Sequence, residues 1–298
     1  ASGKIYVAIG TWSGSVFTGS HIGAYDPSGS AAFDSTLETI SYTNICQGIV
    51  HPKDDTFYVG VDNVVYKTTG GAFSSALTLP TNMYITSLTD YGNLLAIACA
   101  PLSGVGNSKV FLWDRNSTSI LLSETVDWGS GVLQILDVID GVLVGISRLT
   151  TSPQSFIVHK DKVSFRYHVG SDISEQFKLL QSETNNLILP IYKQRIDNRL
   201  YFPMSIKINE AQREGIWSIG KTPSGQYSLI HERTPQNDTA LSGTNDLFGF
   251  FYLGDYLFQA YQDNSAYEIT KTDDIAFFNH TAIAETKKFS DGNPSLTK

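Results

Sequence analysis

Apolar and polar positions alternate over short runs that stop at Gly, Asn, Asp or Pro, the pattern of β-strands joined by tight turns. The first run is Lys4-Ile-Tyr-Val-Ala-Ile9. Similar runs return as Thr56-Phe-Tyr-Val-Gly60, Leu94-Leu-Ala-Ile-Ala98, Val142-Leu-Val-Gly-Ile146, Arg199-Leu-Tyr-Phe-Pro203 and Tyr256-Leu-Phe-Gln-Ala260. Turn residues stand before them: Asp54-Asp55, Gly92-Asn93, Asp140-Gly141, Asp197-Asn198 and Gly254-Asp255. Such pairs tolerate the positive φ that a tight hairpin demands. An aromatic-rich partner strand follows each run, as in Ile22-Gly-Ala-Tyr-Asp26, Val64-Val-Tyr-Lys67, Val110-Phe-Leu-Trp-Asp114, Ser155-Phe-Ile-Val-His159, Gly215-Ile-Trp-Ser-Ile219 and Ala266-Tyr-Glu-Ile269. Helical spacing is confined to Ile173–Leu180, where Ile173, Phe177 and Leu180 share one face.

Six such units recur at roughly 37 to 57 residues, a period that in an all-β chain points to a propeller of four-stranded blades. One blade leaves both faces bare, and stacking blades around an axis buries them. The expectation is an all-β, six-bladed β-propeller, with seven blades as the alternative. The first unit lacks the first two strands of its blade. Strands within Ile275–Phe289, around Ala276-Phe-Phe and Thr281-Ala-Ile-Ala, are expected to supply them and close the ring. Residues 1–285 are expected to form this single domain, with 286–298 a linker or the start of a further β-sandwich. Repeated two-sheet sandwiches are the structural rival, and the lack of any linker between units argues against them. The opening Ala1-Ser2-Gly3-Lys4 carries no secretory hydrophobic run and reads as a cloning remnant or as a domain cut from a longer chain.

Composition narrows the function. The 298 residues carry 21 Lys and Arg against 29 Asp and Glu, a formal net charge of −8. Nucleic-acid binders usually show a basic stripe. Here the densest basic stretch, Lys193 to Arg199, is interrupted by Asp197 and apolar residues. No apolar run reaches the ~18 residues of a membrane span. Only 17% of residues are charged, so hydroxyl and amide groups must cover much of the surface, which suits an extracellular, protease-exposed molecule. Cys46 and Cys99 both sit in apolar runs and are expected as separate buried thiols.

Motifs that would carry chemistry are thin. Gly215-Ile-Trp-Ser-Ile-Gly-Lys-Thr222 spells a phosphate-binding loop, but its interior is an apolar strand and Pro223 follows. A hairpin is expected instead. The six histidines, His21, His51, His159, His168, His231 and His280, show no zinc-ligand spacing. No metal and no cofactor are implied. Propeller glycosidases converge carboxylates from different blades, and a linear sequence does not display convergence. The sequons at Asn116, Asn237 and Asn279 decide nothing. Trp113 and Trp217 lie within strands and are expected in the core. Trp12 and Trp128 sit among Gly and Ser, where a tryptophan can stack on a sugar ring or anchor a partner. Trp12, His21 and Trp128 are therefore the candidate ligand-binding residues.

The Val65-Tyr-Lys67 strand ending and the Asp-Gly and Asp-Asn turns resemble those of β-propeller domains in virion proteins of tailed bacteriophages. The tail, Glu285-Thr-Lys-Lys-Phe-Ser-Asp-Gly-Asn-Pro-Ser-Leu-Thr-Lys298, is similar to the junction where such propellers hand over to a β-sandwich. Val110-Phe-Leu-Trp-Asp114 resembles a WD-repeat ending but occurs once, without the Gly-His partner. The resemblance implies a non-catalytic structural or receptor-binding component of a phage particle. It would bind another virion protein or a host-surface glycan, with no nucleic acid and no membrane insertion. The alternatives are a polysaccharide-degrading propeller hydrolase or lyase, and an adhesion module that is secreted or held at a bacterial surface.

Overall fold

The computed structural model describes residues 5–13, 16–25, 34–40, 42–120, 125–149, 155–160, 192–208, 211–221, 227–233, 246–253, 256–263 and 266–273. Among them the regular elements are all strands, arranged in six antiparallel sheets that succeed one another along the chain. The first sheet holds β1 (Ile5–Ser13), β2 (Val16–Tyr25) and β3 (Asp34–Thr39). The second holds β4 (Ile49–His51), β5 (Thr56–Val61), β6 (Val64–Thr68) and β7 (Ser74–Thr78). The third holds β8 (Met83–Tyr91), β9 (Leu94–Pro101), β10 (Asn107–Trp113) and β11 (Thr125–Ser130). The fourth holds β12 (Val132–Ile139), β13 (Val142–Leu149) and β14 (Ser155–Lys160). The fifth holds β15 (Gln194–Ile196), β16 (Arg199–Ile208), β17 (Ala211–Lys221) and β18 (Tyr227–Arg233). The sixth holds β19 (Asp246–Leu253), β20 (Tyr256–Asp263) and β21 (Ala266–Asp273).

Each sheet is an up-and-down meander, so every hairpin is local and every turn matters. Asp55, Asp62, Asp140 and Asp197 hold φ of +49 to +52°. An aspartate tolerates this left-handed geometry because its short side chain bonds the local backbone. The expected turn chemistry is thus present.

Packing between sheets explains why several strands are apolar on both faces. Along β9, Leu95, Ile97 and Cys99 join Tyr58, Val65 and Leu77 of the second sheet. The intervening Ala96 and Ala98 join Leu133, Leu136 and Leu143 of the fourth. Side chains alternate across a strand, so a sheet between two neighbours needs an unbroken apolar run. The same logic continues through the molecule. Ile135, Ile139 and Ile146 pack on Leu200, Phe202 and Trp217, and Ile216 packs on Leu247, Phe250 and Leu257. Ile22 and Ile40 meet Val59 and Val61. Five consecutive interfaces among the described residues are sealed in this way.

The expected all-β class holds. The phosphate-loop spelling falls on β17, where Gly215 to Gly220 run in register with Met204 to Arg199 of β16, so those main-chain groups bond to strands. Trp113 and Trp217 are buried, and Cys46 and Cys99 are buried free thiols. Several expectations lie outside the described residues: the closing strands within 275–289, the helical stretch 173–180, the linker 286–298, His168, His280, Asn237 and Asn279.

Candidate functional site

The first strands of successive sheets bring polar side chains together. Lys193, just ahead of β15, is the most constrained of these. Its Nζ donates to the Leu88 carbonyl of β8 at 2.8 Å and to the Leu136 carbonyl of β12, and pairs with Asp137 Oδ2 at 3.2 Å. An ammonium has three donors, and all three are taken. Asp137 is equally occupied. Its Oδ1 accepts from Thr89 Oγ1 at 3.0 Å, from the Val138 N–H at 2.7 Å and from Arg195 Nη1 at 3.3 Å. Arg195 extends the network to Asp90 Oδ1 at 3.2 Å and to the Val138 carbonyl at 3.3 Å. Lys193 and Asp137 are both buried, whereas about a third of Arg195 (37%) is exposed.

Two glutamines tie further sheets to this hub. Gln47 Nε2 donates to the Lys193 carbonyl at 3.0 Å, and its Oε1 accepts from the Lys193 N–H at 2.9 Å. Gln194 makes the same double bond to the Tyr252 backbone, at 3.0 and 2.7 Å. Each amide acts as a one-residue strand, presenting one donor and one acceptor to a main chain. Gln47 precedes the second sheet and Lys193 the fifth, so this contact spans 146 residues of sequence.

Carboxylates from two sheets therefore converge, as a glycosidase would need, but on Arg195 and Lys193. A buried charge removed from its partners is strongly unfavourable, so this arrangement holds the sheets together. Other reactive groups are equally committed. Ser218, fully buried on β17, accepts from Arg199 Nε at 3.0 Å and Nη2 at 2.6 Å and donates to Glu232. Burial pushes the Cys46 thiol up to about 11 and that of Cys99 well above its ordinary range, so neither supplies thiolate at neutral pH.

An open cleft of about 260 Å³ lies between the second and third sheets. The β4–β5 turn supplies Asp54, β5 supplies Thr56 and Tyr58, β6 supplies Lys67 and Thr68, and the residue pair after β10 includes Arg115. Asp54 accepts from the Thr56 N–H at 3.1 Å, from the Tyr58 hydroxyl at 3.0 Å and from Arg115. Burial opposes its ionisation, yet these three partners together outweigh burial and hold its carboxyl below the usual range. Burial, then the Asp54 hydrogen bond, pushes the Tyr58 phenol up to about 12. Arg115 also donates to the Asn93 carbonyl at 3.1 Å and sits at φ +70°.

Of the three sequence-derived candidates, two lie on the first sheet and one on the third. Trp12 lies on β1 opposite Phe17, and His21 on β2 opposite Ile9 and Thr39. Trp128 is on β11, not on a loop, and none of its surface is exposed. Its ring fills the space that Gly145 leaves: a Cβ there would stand 2.7 Å from Trp128. Trp128 is thus a core residue. Lys193, Asp137, Gln47 and the Asp54 cleft were not legible beforehand. The one visible signal was charge at Lys193 and Arg195 inside an otherwise apolar strand context.

No family model matches the chain, and no curated protein matches it. Similar solved structures include an endo-arabinase from Bacteroides thetaiotaomicron, at 12% identity and a TM-score of 0.42, covering 76% of this chain and 92% of that one. A puromycin hydrolase matches at 13% identity and TM-score 0.43, over 88% of this chain and 41% of its own. The extracellular region of plexin A4 matches at 12% identity and TM-score 0.45, over 77% of this chain and 34% of its own.

Proposed function

We propose that the chain is a six-bladed propeller that acts by binding, as a structural or receptor-binding component of a tailed-phage particle. Its partner is another virion protein or a host-surface glycan. The observation that carries the binding reading is the saturation of the hub. Lys193 has spent its three donors, and Asp137 accepts four bonds. A hub built this way is a rigid frame for surface loops. The six consecutive meanders support six blades. The phage assignment rests on the resemblance of the Val65-Tyr-Lys67 ending, the Asp turns and the Glu285–Lys298 tail.

A second reading has one specific observation behind it. Asp90 and Asp137 meet at Arg195, near the exposed end of the hub, as the two carboxylates of a polysaccharide hydrolase would meet a substrate. A glycan array run beside a reducing-sugar release assay separates the two. Binding without release is expected. Release of reducing ends, or of unsaturated product for a lyase, that disappears in Asp137→Asn and Asp90→Asn would replace binding with catalysis.

A further inference from the structure

Among the described residues that line it, the cleft beside Asp54 carries one positive charge in excess, although the whole chain carries −8. Arg115 and Lys67 line it, and Asp54 is the carboxylate among the described lining residues, with Asp114 beside Arg115 just outside them. Asp54 is committed to Arg115, while among the described residues Lys67 has no ion-pair partner. Arg115 keeps unused donors: it has five N–H groups, two of its nitrogens are engaged, and its buried Nε–H has no hydrogen-bond partner. Buried donors are nearly always paired, so an orphan beside a cleft marks a place where something is missing.

The rest of the lining is hydroxyl and amide. Thr68 is occupied in holding its own loop, donating to the Gly71 carbonyl at 2.8 Å and accepting from the Gly70 N–H at 3.0 Å. Thr69, Ser74 and Asn116, all with polar side chains, also line the cleft. The wall is rigid where it counts. Tyr58 is pinned edge-on to Trp113 at 6.0 Å, and the Asp114 carboxylate ties down the Asn116 and Ser117 N–H groups at 2.9 and 2.8 Å. That turn holds Arg115 in the left-handed region, which a residue with a Cβ adopts only under constraint. Strain maintained by surrounding structure concentrates where a side chain has to be aimed.

We infer that this cleft binds a single carboxylate-bearing sugar residue, such as a uronic acid, with Lys67 and Arg115 taking the carboxylate and Thr69, Ser74 and Asn116 taking ring hydroxyls. The volume of about 260 Å³ lies just below the ~300 Å³ at which drug-sized ligand pockets begin, which suits one hydroxylated ring. One excess cation balances one carboxylate. The inference deepens the glycan-binding reading and rests on it.

Isothermal titration of the full chain tests it with four probes: D-glucuronate, methyl glucoside, acetate and an oligogalacturonide. Glucuronate and the oligogalacturonide are expected to bind at least about tenfold more tightly than methyl glucoside or acetate, since a charge-assisted hydrogen bond is worth that much. Raising the salt concentration should weaken them. Lys67→Met, which removes a partly exposed charge without an ion-pair partner, should weaken glucuronate about tenfold and leave methyl glucoside within twofold. Lys67→Gln serves in its place if the methionine variant is poorly folded by circular dichroism. Equal affinity for glucuronate and methyl glucoside, or for glucuronate and acetate, overturns the inference. So does unchanged glucuronate binding in the Lys67 variant. If array glycans bind but do so independently of carboxylate and of Lys67, the inference falls and the glycan-binding reading stands. If no saccharide binds anywhere, both fall.

Discussion

Replacing Lys193 with methionine isolates what the hub contributes to stability. The aliphatic stem is kept and the ammonium is deleted. Three bonds vanish at once, to the Leu88 and Leu136 carbonyls and to Asp137. Asp137 keeps Arg195, Thr89 and the Val138 N–H, but it remains a buried carboxylate with one cation fewer. Breaking one partner out of a buried pair costs about 3–5 kcal/mol. With a urea slope of ~3 kcal/mol/M, the unfolding midpoint should fall by about 1–1.7 M. The double variant Lys193→Met/Asp137→Asn removes the stranded charge and should recover part of the loss, with a coupling of roughly 1–3 kcal/mol. The assay is urea unfolding followed by tryptophan fluorescence, with far-UV circular dichroism as a second probe of two-state behaviour. A loss under about 1 kcal/mol, or strictly additive single and double variants, would refute the claim that this pair locks the first strands of neighbouring sheets together.

Four other outcomes are expected. Gln47→Leu removes both bonds to the Lys193 backbone and leaves two main-chain groups unpaired, costing about 1–3 kcal/mol by the same urea titration. Gly145→Ala puts a Cβ at 2.7 Å from both Leu133 and Trp128, and overpacking of this kind costs about 1–3 kcal/mol. Calorimetry should show a lower Tm, and an unchanged Tm would mean that β13 shifts freely. Asp54 has a folded pKa below its unfolded one, so its contribution is complete above about pH 4 and drains as pH falls through the lower folded value. Asp54→Asn should be less stable than the parent at pH 7 and should approach it on acidification; a constant gap down to pH 2 would contradict this. Iodoacetamide at pH 8 should label neither Cys46 nor Cys99 in the folded protein and both after denaturation, as read by intact mass, because burial raises both thiols.

The legible part of this fold is the part written locally. Asp140-Gly141 is a turn because its residues tolerate positive φ, and no distant contact is needed to say so. The apolar run Leu94 to Ala100 is a strand buried on both faces for the same reason: alternate side chains point opposite ways, and both sets are apolar. Cys46 and Cys99 read as buried thiols because their neighbours are apolar. Trp128 shows the limit. Its Gly and Ser neighbours imitate a loop, yet the turn-like composition only makes room, and Gly145 on β13 decides that the ring goes inward.

Sequence by itself therefore determined the all-β class, the apolar strands at the centre of each unit and the tight turns before them. Those follow from φ preferences and from the period of hydrophobicity, which act within a few residues. Only tertiary structure decided what the charged residues do. Lys193 meets Leu88 and Leu136 across 105 and 57 residues, and Gln47 meets Lys193 across 146. Arg115 reaches Asp54 across 61 to shape the cleft. Hydrogen bonds and ion pairs act over about 3 Å, so their partners are set by which sheet faces come together. That assembly is driven by non-directional apolar burial, and the sequence carries no local mark of it.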